Sequence, residues 1–412
     1  MSWFDTLVKE PLFDCQHCGQ CLLSQTGYVC PMTCPKGLRN GPCGGTMDGR
    51  CEVLPDRPCV WLKIRERSEP PDGVHRPVNP ELVGSSSLTN FLLGRDRDSR
   101  HPKTFETRDS ENVERPSVLA RKFDQDSPVI TYEIASPKDR SGLARVEKMV
   151  RTVQHCVDGI NTTTNAGGVP SLHSLETART VAANGVAPIV QFCGRDQGTD
   201  EFLRQAQEAL KDGFANILAL TGDWNPNTPR ELDAGRWFPM DSLQMVDVLA
   251  AQSNFIKQPF IGVASTAYMT PMGTSVRRLL AKLRAGANFT QTQVVTESEL
   301  FSRWLSTVRA TAEGRRCRIL ASVPLVGKVR PYAILRRLPG VHIDPAFAAR
   351  LEAGASGKVD MAGVGLATAR DLIVRLLSLD IDGIHLMNFG VSGDAVVDLV
   401  EEIRGLQIQP AA

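Results

Sequence analysis

The sequence predicts an α/β protein: a (β/α)8 TIM barrel preceded by a small cysteine-rich metal-binding domain and an extended linker. Three observations predict it. Between residues 126 and 412, eight short β-branched runs alternate with longer amphipathic ones. The short runs are nearly continuously apolar, as strands covered on both faces of a parallel sheet are. Eight of the 11 cysteines fall within the first 59 residues, in a segment with few apolar runs.

In chain order, residues 1–65 form the first unit. Cys15, Cys18 and Cys21 follow a Cys-x2-Cys-x2-Cys spacing, and Cys30, Cys34, Cys43, Cys51 and Cys59 continue the series. A segment of this size and composition cannot bury a core of its own and needs staples. Residues 1–10 contain no basic stretch followed by an apolar core, so a reducing, cytoplasmic setting is expected. Clustered thiols in such a setting point to metal rather than disulfides. The spacing fits a 4Fe–4S cluster and fits zinc nearly as well. Eight thiols would serve two four-ligand sites, or one site with spares. Residues 66–125, mixed in charge, read as the linker.

The strand-like runs are 129–134, 159–163, 188–193, 216–221, 260–264, 289–295, 319–323 and 383–387. Helical periodicity separates several of them, in 171–184 and 199–212 for example, and Gly185 and Gly213 stop those two helices. Eight such units in one domain match a (β/α)8 barrel, with a doubly wound open sheet as the alternative.

Composition narrows the function. The chain has 412 residues, 47 basic against 46 acidic, a net charge of +1. A nucleic-acid partner usually leaves a basic excess, which is missing here. No apolar run approaches the roughly 18 residues of a membrane span. There is no GxxxxGK[ST] loop and no complete dinucleotide fingerprint, since Thr368 stands where the third glycine after Gly363 and Gly365 belongs.

Barrel enzymes work at the C-terminal ends of their strands. The polar residues expected there are Glu133, Thr163, Asn165, Cys193, Arg195, Asp196, Gly222, Asp223, Gln293 and Asn388. A carboxyl flanked by apolar residues, as Glu133 is by Tyr132 and Ile134, can act as a general acid. A salt-bridged core glutamate is the plainer reading. Gly222 permits close approach of a flat ligand, and Asp223 can stabilise a developing cation or merely cap a helix. Gln293 can pair with a ring edge or lie on the surface.

These residues carry a resemblance. Segments 130–137 (ITYEIASP), 193–196 (CGRD), 216–223 (NILALTGD), 286–293 (GANFTQTQ) and 338–344 (LPGVHID) resemble the flavin-dependent methylenetetrahydrofolate reductase barrel. The first 60 residues, with CxLSxTGxxCPMxCPKGLRNGPCGG, resemble the iron–sulfur, zinc-finger-like module that accompanies such reductases in acetogens and relatives. The resemblance implies that Glu133 protonates N10 of folate, that Asp223 favours the resulting 5-iminium cation, and that Gln293 contacts the pterin. It places a flavin, FAD or FMN, against Thr163, Asn165, Cys193, Arg195, Asp196 and Gly222. Phe238 to Asp241 would cover the flavin, and Lys282 would lie near its phosphates. Val190, Thr221 and Arg278 depart from the pattern, standing where the better-known bacterial enzymes have histidine, arginine and asparagine. The loop 224–227 departs from it too.

The function so implied is an oxidoreductase that interconverts 5,10-methylenetetrahydrofolate and 5-methyltetrahydrofolate. An electron-carrier protein or NAD(P)H would be the partner, and the chain would form a homo-oligomer. The rivals are a folate-binding docking subunit and a folate-dependent methyltransferase.

Overall fold

The computed structural model describes residues 3–69, 72–105, 117–224, 237–252, 255, 258–357 and 359–406. The unusual loop expected at 224–227 lies outside these from residue 225 onward. Parts of the linker (106–116) and of the chain's end (407–412) lie outside them as well.

Eight parallel strands close a barrel whose order around the ring is their order in the chain. They are β1 (Val129–Ile134), β2 (Gly159–Thr162), β3 (Pro188–Cys193), β4 (Asn216–Leu220), β5 (Phe260–Ser265), β6 (Phe289–Val294), β7 (Arg318–Val326) and β8 (Gly383–Phe389). The open sheet is therefore excluded. The first six agree with the predicted runs to within one residue. The last two run longer, because β7 and β8 stay paired as far as Val326 opposite Phe389. Pro324 lies within that stretch and masks it in the sequence, since proline argues against a strand interior.

Side-chain alternation sorts each strand into two faces. On β1, Ile130 and Tyr132 join the large core between the strands and the outer helices. Val129 points the other way and packs inside the barrel with Ile189, Leu218, Phe289 and Leu320. Leu119 and Phe123, on and just after the helix Val118–Lys122, close this inner layer, and Phe260 stacks on Phe289 with centroids 5.0 Å apart. The last turn of the expected linker thus plugs the floor of the barrel. The outer helices present apolar stripes at helical spacing: Ser298–Arg309 buries Phe301, Trp304, Leu305 and Val308. Each such side chain contributes about 1.5–3 kcal/mol. Among the described residues, no helix is long and apolar enough to cross a membrane.

The N-terminal segment is built differently. It has short helices, isolated bridges and two small clusters, one around Trp61 and Ile64 and one around Leu23 and Met32. Residues 72–105 are extended only in part. They include helices Ser87–Leu92 and Arg97–Arg100 and wrap the cysteine-rich segment: the amide of Gly84 donates to His17 O (2.8 Å), and Asn90 Nδ2 donates to Gly19 O (3.0 Å).

This segment sits over the C-terminal mouth of the barrel. Phe238 N donates to Lys36 O (3.0 Å), and Arg278 Nη1 donates to Asn40 O (2.5 Å). Gly37 has φ +67°, and a Cβ there would come within 2.3 Å of Trp237, so only glycine fits the contact.

Candidate active site

Glu133 lies near the C-terminal end of β1, on the same face as Thr131 and Val129 and hence inside the barrel. Its Oε2 accepts from Gln191 Nε2 of β3 (3.1 Å) and lies 3.7 Å from His385 Nε2 of β8. His385 Nδ1 in turn shares a 2.9 Å hydrogen bond with Thr131 Oγ1. The barrel interior also contains a reciprocal amide pair: Asn161 Nδ2 donates to Gln291 Oε1 (2.6 Å) and Gln291 Nε2 donates to Asn161 Oδ1 (3.0 Å). Buried polar groups need such partners. The Glu133 carboxylate is thus bound by one amide donor, with an imidazole 3.7 Å away.

Asp223 follows β4. Gly222 has φ +93°, and a Cβ there would press on Arg195 at 3.0 Å. Arg195 Nη1 donates to Asp223 O (2.9 Å), Arg195 Nη2 donates to Asn165 O (3.0 Å), and its guanidinium pairs with Asp196 (2.6 Å). Asn165 Nδ2 also donates to Asp196 (3.1 Å). Burial pushes the Asp223 carboxyl above the ordinary aspartate range; Lys36 and Arg195 oppose that shift, while Glu52 and Glu133 add to it. Glu133 and Asp223 are therefore close enough to sense each other's charge.

The other predicted residues divide. The Phe238 ring stacks on that of Trp224 (6.4 Å, 18°). Asp241 caps the helix Ser242–Ala250, pairs with Arg278 (3.2 Å) and accepts from Asn40 Nδ2 (2.9 Å). Lys282 is buried. Its one hydrogen bond among the described residues goes to Ala264 O (2.7 Å), and burial, with Arg278 adding to it, pushes its ammonium down to about 7. Thr163 is spent on the Ser136 backbone (3.2 Å), and burial pushes the Cys193 thiol up to about 12. Gln293 donates to Pro339 O (2.9 Å) and accepts from the amide of Val294 (2.9 Å), so its amide grips the 338–344 loop. Asn388 organises its own turn through Gly390 and Val391 (2.9 and 2.8 Å).

The eight N-terminal cysteines are all free thiols and fall into two sets. Cys15, Cys18, Cys21 and Cys30 line one cavity, together with Lys9 and Gln20. Burial pushes the Cys30 thiol up to about 12, with Cys18 and Cys15 adding to the shift. Cys34, Cys43, Cys51 and Cys59 form the other set. Burial pushes Cys34 up to about 11, with Cys59 and Cys51 adding to it. Among the described residues, no three His, Cys, Asp or Glu side chains converge on a single-ion site. Arg39 is fully buried near Cys18, Cys21, Asp96 and Cys30, and among the described residues its Nε and Nη1 have no hydrogen-bond partner.

Sequence reasoning missed Gln191, His385, Lys36 and Glu52. The first two had a signal: each is the polar residue at an inward position of an apolar run. Lys36 and Glu52 had none, because their partners are remote in the chain.

Two family profiles match the chain. One, described as "Methylene-tetrahydrofolate reductase C terminal", covers residues 3–78, at the start of this chain. The other, "Methylenetetrahydrofolate reductase", covers 118–403. No curated protein matches significantly. Among solved structures, an uncharacterised protein from Clostridium thermocellum that binds two copies of 5-methyl-5,6,7,8-tetrahydrofolic acid superposes with a TM-score of 0.56 at 15% identity, covering 70% of this chain and 99% of its own. An EDTA monooxygenase from Chelativorans sp. BNC1 reaches a TM-score of only 0.42 at 11% identity, covering 67% and 92%. The first of these likenesses concerns the barrel fold; the profile over 118–403 decides the family, and the chain belongs to the methylenetetrahydrofolate reductase family.

Proposed function

We propose that this protein interconverts 5,10-methylenetetrahydrofolate and 5-methyltetrahydrofolate at the mouth of the barrel, with electrons delivered through metal held by the N-terminal cysteines. The observation that carries the reading is Glu133, set inside a barrel of this family with Gln191 and His385 on its carboxylate. The substrate's methylene carbon is a poor hydride acceptor until its bond to N10 breaks. Glu133 gives its proton to N10; the electron pair of the broken bond stays on N10, leaving a cation at N5 and the methylene carbon. Ionised Asp223 stabilises that cation, and Lys36 and Arg195 favour the ionised form against the effect of burial. Hydride at the carbon completes the methyl group. Glu133, left as a carboxylate, stays held by the Gln191 donor until it is protonated again.

The residues present fit both implied cofactors. Lys282 and Arg278 share a buried corner with Asp241, which pairs with Arg278; among the described residues no anion bonds Lys282, and a flavin phosphate would supply one. Arg39 is a buried cation with two unpaired N–H groups beside Cys18, Cys21 and Cys30, and an anionic thiolate-bound cluster would answer it. When bound, a flavin would supply the hydride and an iron–sulfur cluster would supply electrons singly. An electron-carrier protein or NAD(P)H is the external partner. The Clostridium thermocellum protein, with its two bound methylfolates, supports folate as the ligand of this fold. Its ligand is also a methyl donor, which favours, as a second reading, a methyl transfer that needs no flavin.

The test is single-turnover kinetics on anaerobically purified protein whose flavin, iron and sulfide have been measured. Glu133→Gln is expected to bind folate yet lose the folate half-reaction by roughly 10²–10⁴. Reduction of bound flavin by an artificial donor is expected to survive. If both half-reactions fall together, Glu133 is structural. Protein without flavin absorbance that still moves the methyl group supports the second reading.

A further inference from the structure

The cysteine-rich segment reaches across 186 residues of sequence to grip one loop of the barrel. Lys36 and Glu52 form an ion pair at 2.5 Å, with side chains only 3% and 4% exposed. Lys36 Nζ also donates to Gly222 O (3.0 Å), and Glu52 Oε1 accepts from the backbone amide of Trp224 (3.3 Å). The two residues flanking Asp223 are thus each bound by one member of the pair. From the barrel side, Arg195 binds the carbonyl of Asp223 itself (2.9 Å). Lys36 makes a further contact over the Phe238 ring (5.5 Å), which stacks on Trp224.

We propose that Lys36 and Glu52 are positioning residues for Asp223, so that the cysteine-rich segment completes the folate site. This rests on the role of Asp223 given above. A buried ion pair is a poor source of stability, because desolvation offsets its attraction. It is an effective way to fix geometry, because neither partner can leave without stranding the other. Here each partner also bonds a backbone group of one short loop. The other oxygen of Glu52 accepts from Cys43 Sγ (3.3 Å), so the clamp is continuous with the second cysteine set. Disordering Cys43 would therefore loosen the loop that carries Asp223.

The test uses the full chain, purified anaerobically, with two readouts. The first is hydrogen–deuterium exchange of the peptide spanning 220–224. In Lys36→Met the stranded Glu52 carboxylate is expected to turn out of its buried place and release the Trp224 amide, which then exchanges roughly tenfold faster or more, while β1 to β3 keep their protection. The second is turnover of 5,10-methylenetetrahydrofolate. Lys36→Met is expected to lower kcat by roughly 10²-fold, as a misplaced group does, with KM little changed. Lys36→Arg is expected to retain most of the rate. In an Asp223→Asn background, Lys36→Met is expected to cost nothing more. Unchanged exchange overturns the clamp, and losses that multiply in the double variant overturn its action through Asp223. If Asp223→Asn alone keeps full turnover, the role of Asp223 is what fails, and the exchange result still decides the clamp. Glu52→Ala, which removes the acceptor of the Trp224 amide and strands Lys36, is read in the same way should Lys36→Met not fold.

Discussion

The barrel and the cysteine-rich segment meet their buried polar groups in opposite ways. In the barrel, polar interior residues answer each other, as Asn161 and Gln291 do. The buried side-chain atoms left without a hydrogen bond there are hydroxyl or amide oxygens, such as those of Thr162, Asn216 and Tyr332. In residues 3–105 most of them belong to ionisable groups: Arg39, Arg65, His75, Asp96 and Arg100. The apolar clusters differ as well. The barrel's is continuous around the ring, whereas the smaller N-terminal one consists of Cys18, Leu23, Cys30 and Met32. The barrel closes on itself. The N-terminal segment buries charges and free thiols and leans on contacts with the barrel.

That contrast can be broken or sharpened, most severely at Asp223. Asp223→Asn keeps the size of the side chain and removes its charge. Folate turnover is expected to fall by roughly 10²–10³ with the melting temperature nearly unchanged, since the barrel does not depend on this residue for its core. A matching loss of stability would mean that the clamp, rather than the charge, was what the aspartate supplied.

A smaller effect is expected from the thiols. Cys18→Ser and Cys34→Ser strike different sets. Each is expected to remove about half of the iron and sulfide, because four thiolates hold one cluster, and to leave the barrel's circular dichroism intact. Loss of all iron from either variant would merge the two sets into one site, and zinc in place of iron would make one of them structural.

The smallest effect concerns His75, whose carbonyl is bound by Gln244 Nε2 (2.8 Å) and Asn40 Nδ2 (3.1 Å). Burial, with Arg39 adding to it, pushes its imidazole down to about 4. The unfolded chain takes up that proton near the ordinary 6.5, so the folded form loses stability as pH falls from there toward about 4. The melting temperature is expected to drop across that window, and His75→Gln is expected to remove this part of the drop. A variant as acid-sensitive as the parent would assign the loss to other groups.

Much of this was legible in the sequence, and for local reasons. A strand shows itself in four to eight residues, so β1 to β6 could be bounded to within a residue from β-branched runs and glycine stops alone. Alternation, a property of the strand itself, separates Glu133 from its flanking Tyr132 and Ile134, and the barrel turns that face inward. The spacing of eight cysteines set this segment apart from the barrel, and the metal it predicts belongs to the proposal. Only the tertiary structure decided where that segment lies. Lys36 meets Gly222, and Asn40 meets Asp241 and Arg278, across intervals that leave no periodicity in the chain. Gln293 appeared free to meet a ligand until the 338–344 loop took its amide. Periodicity records what each residue does with its near neighbours; a contact between remote loops depends on how two folded units dock, and no local pattern encodes that.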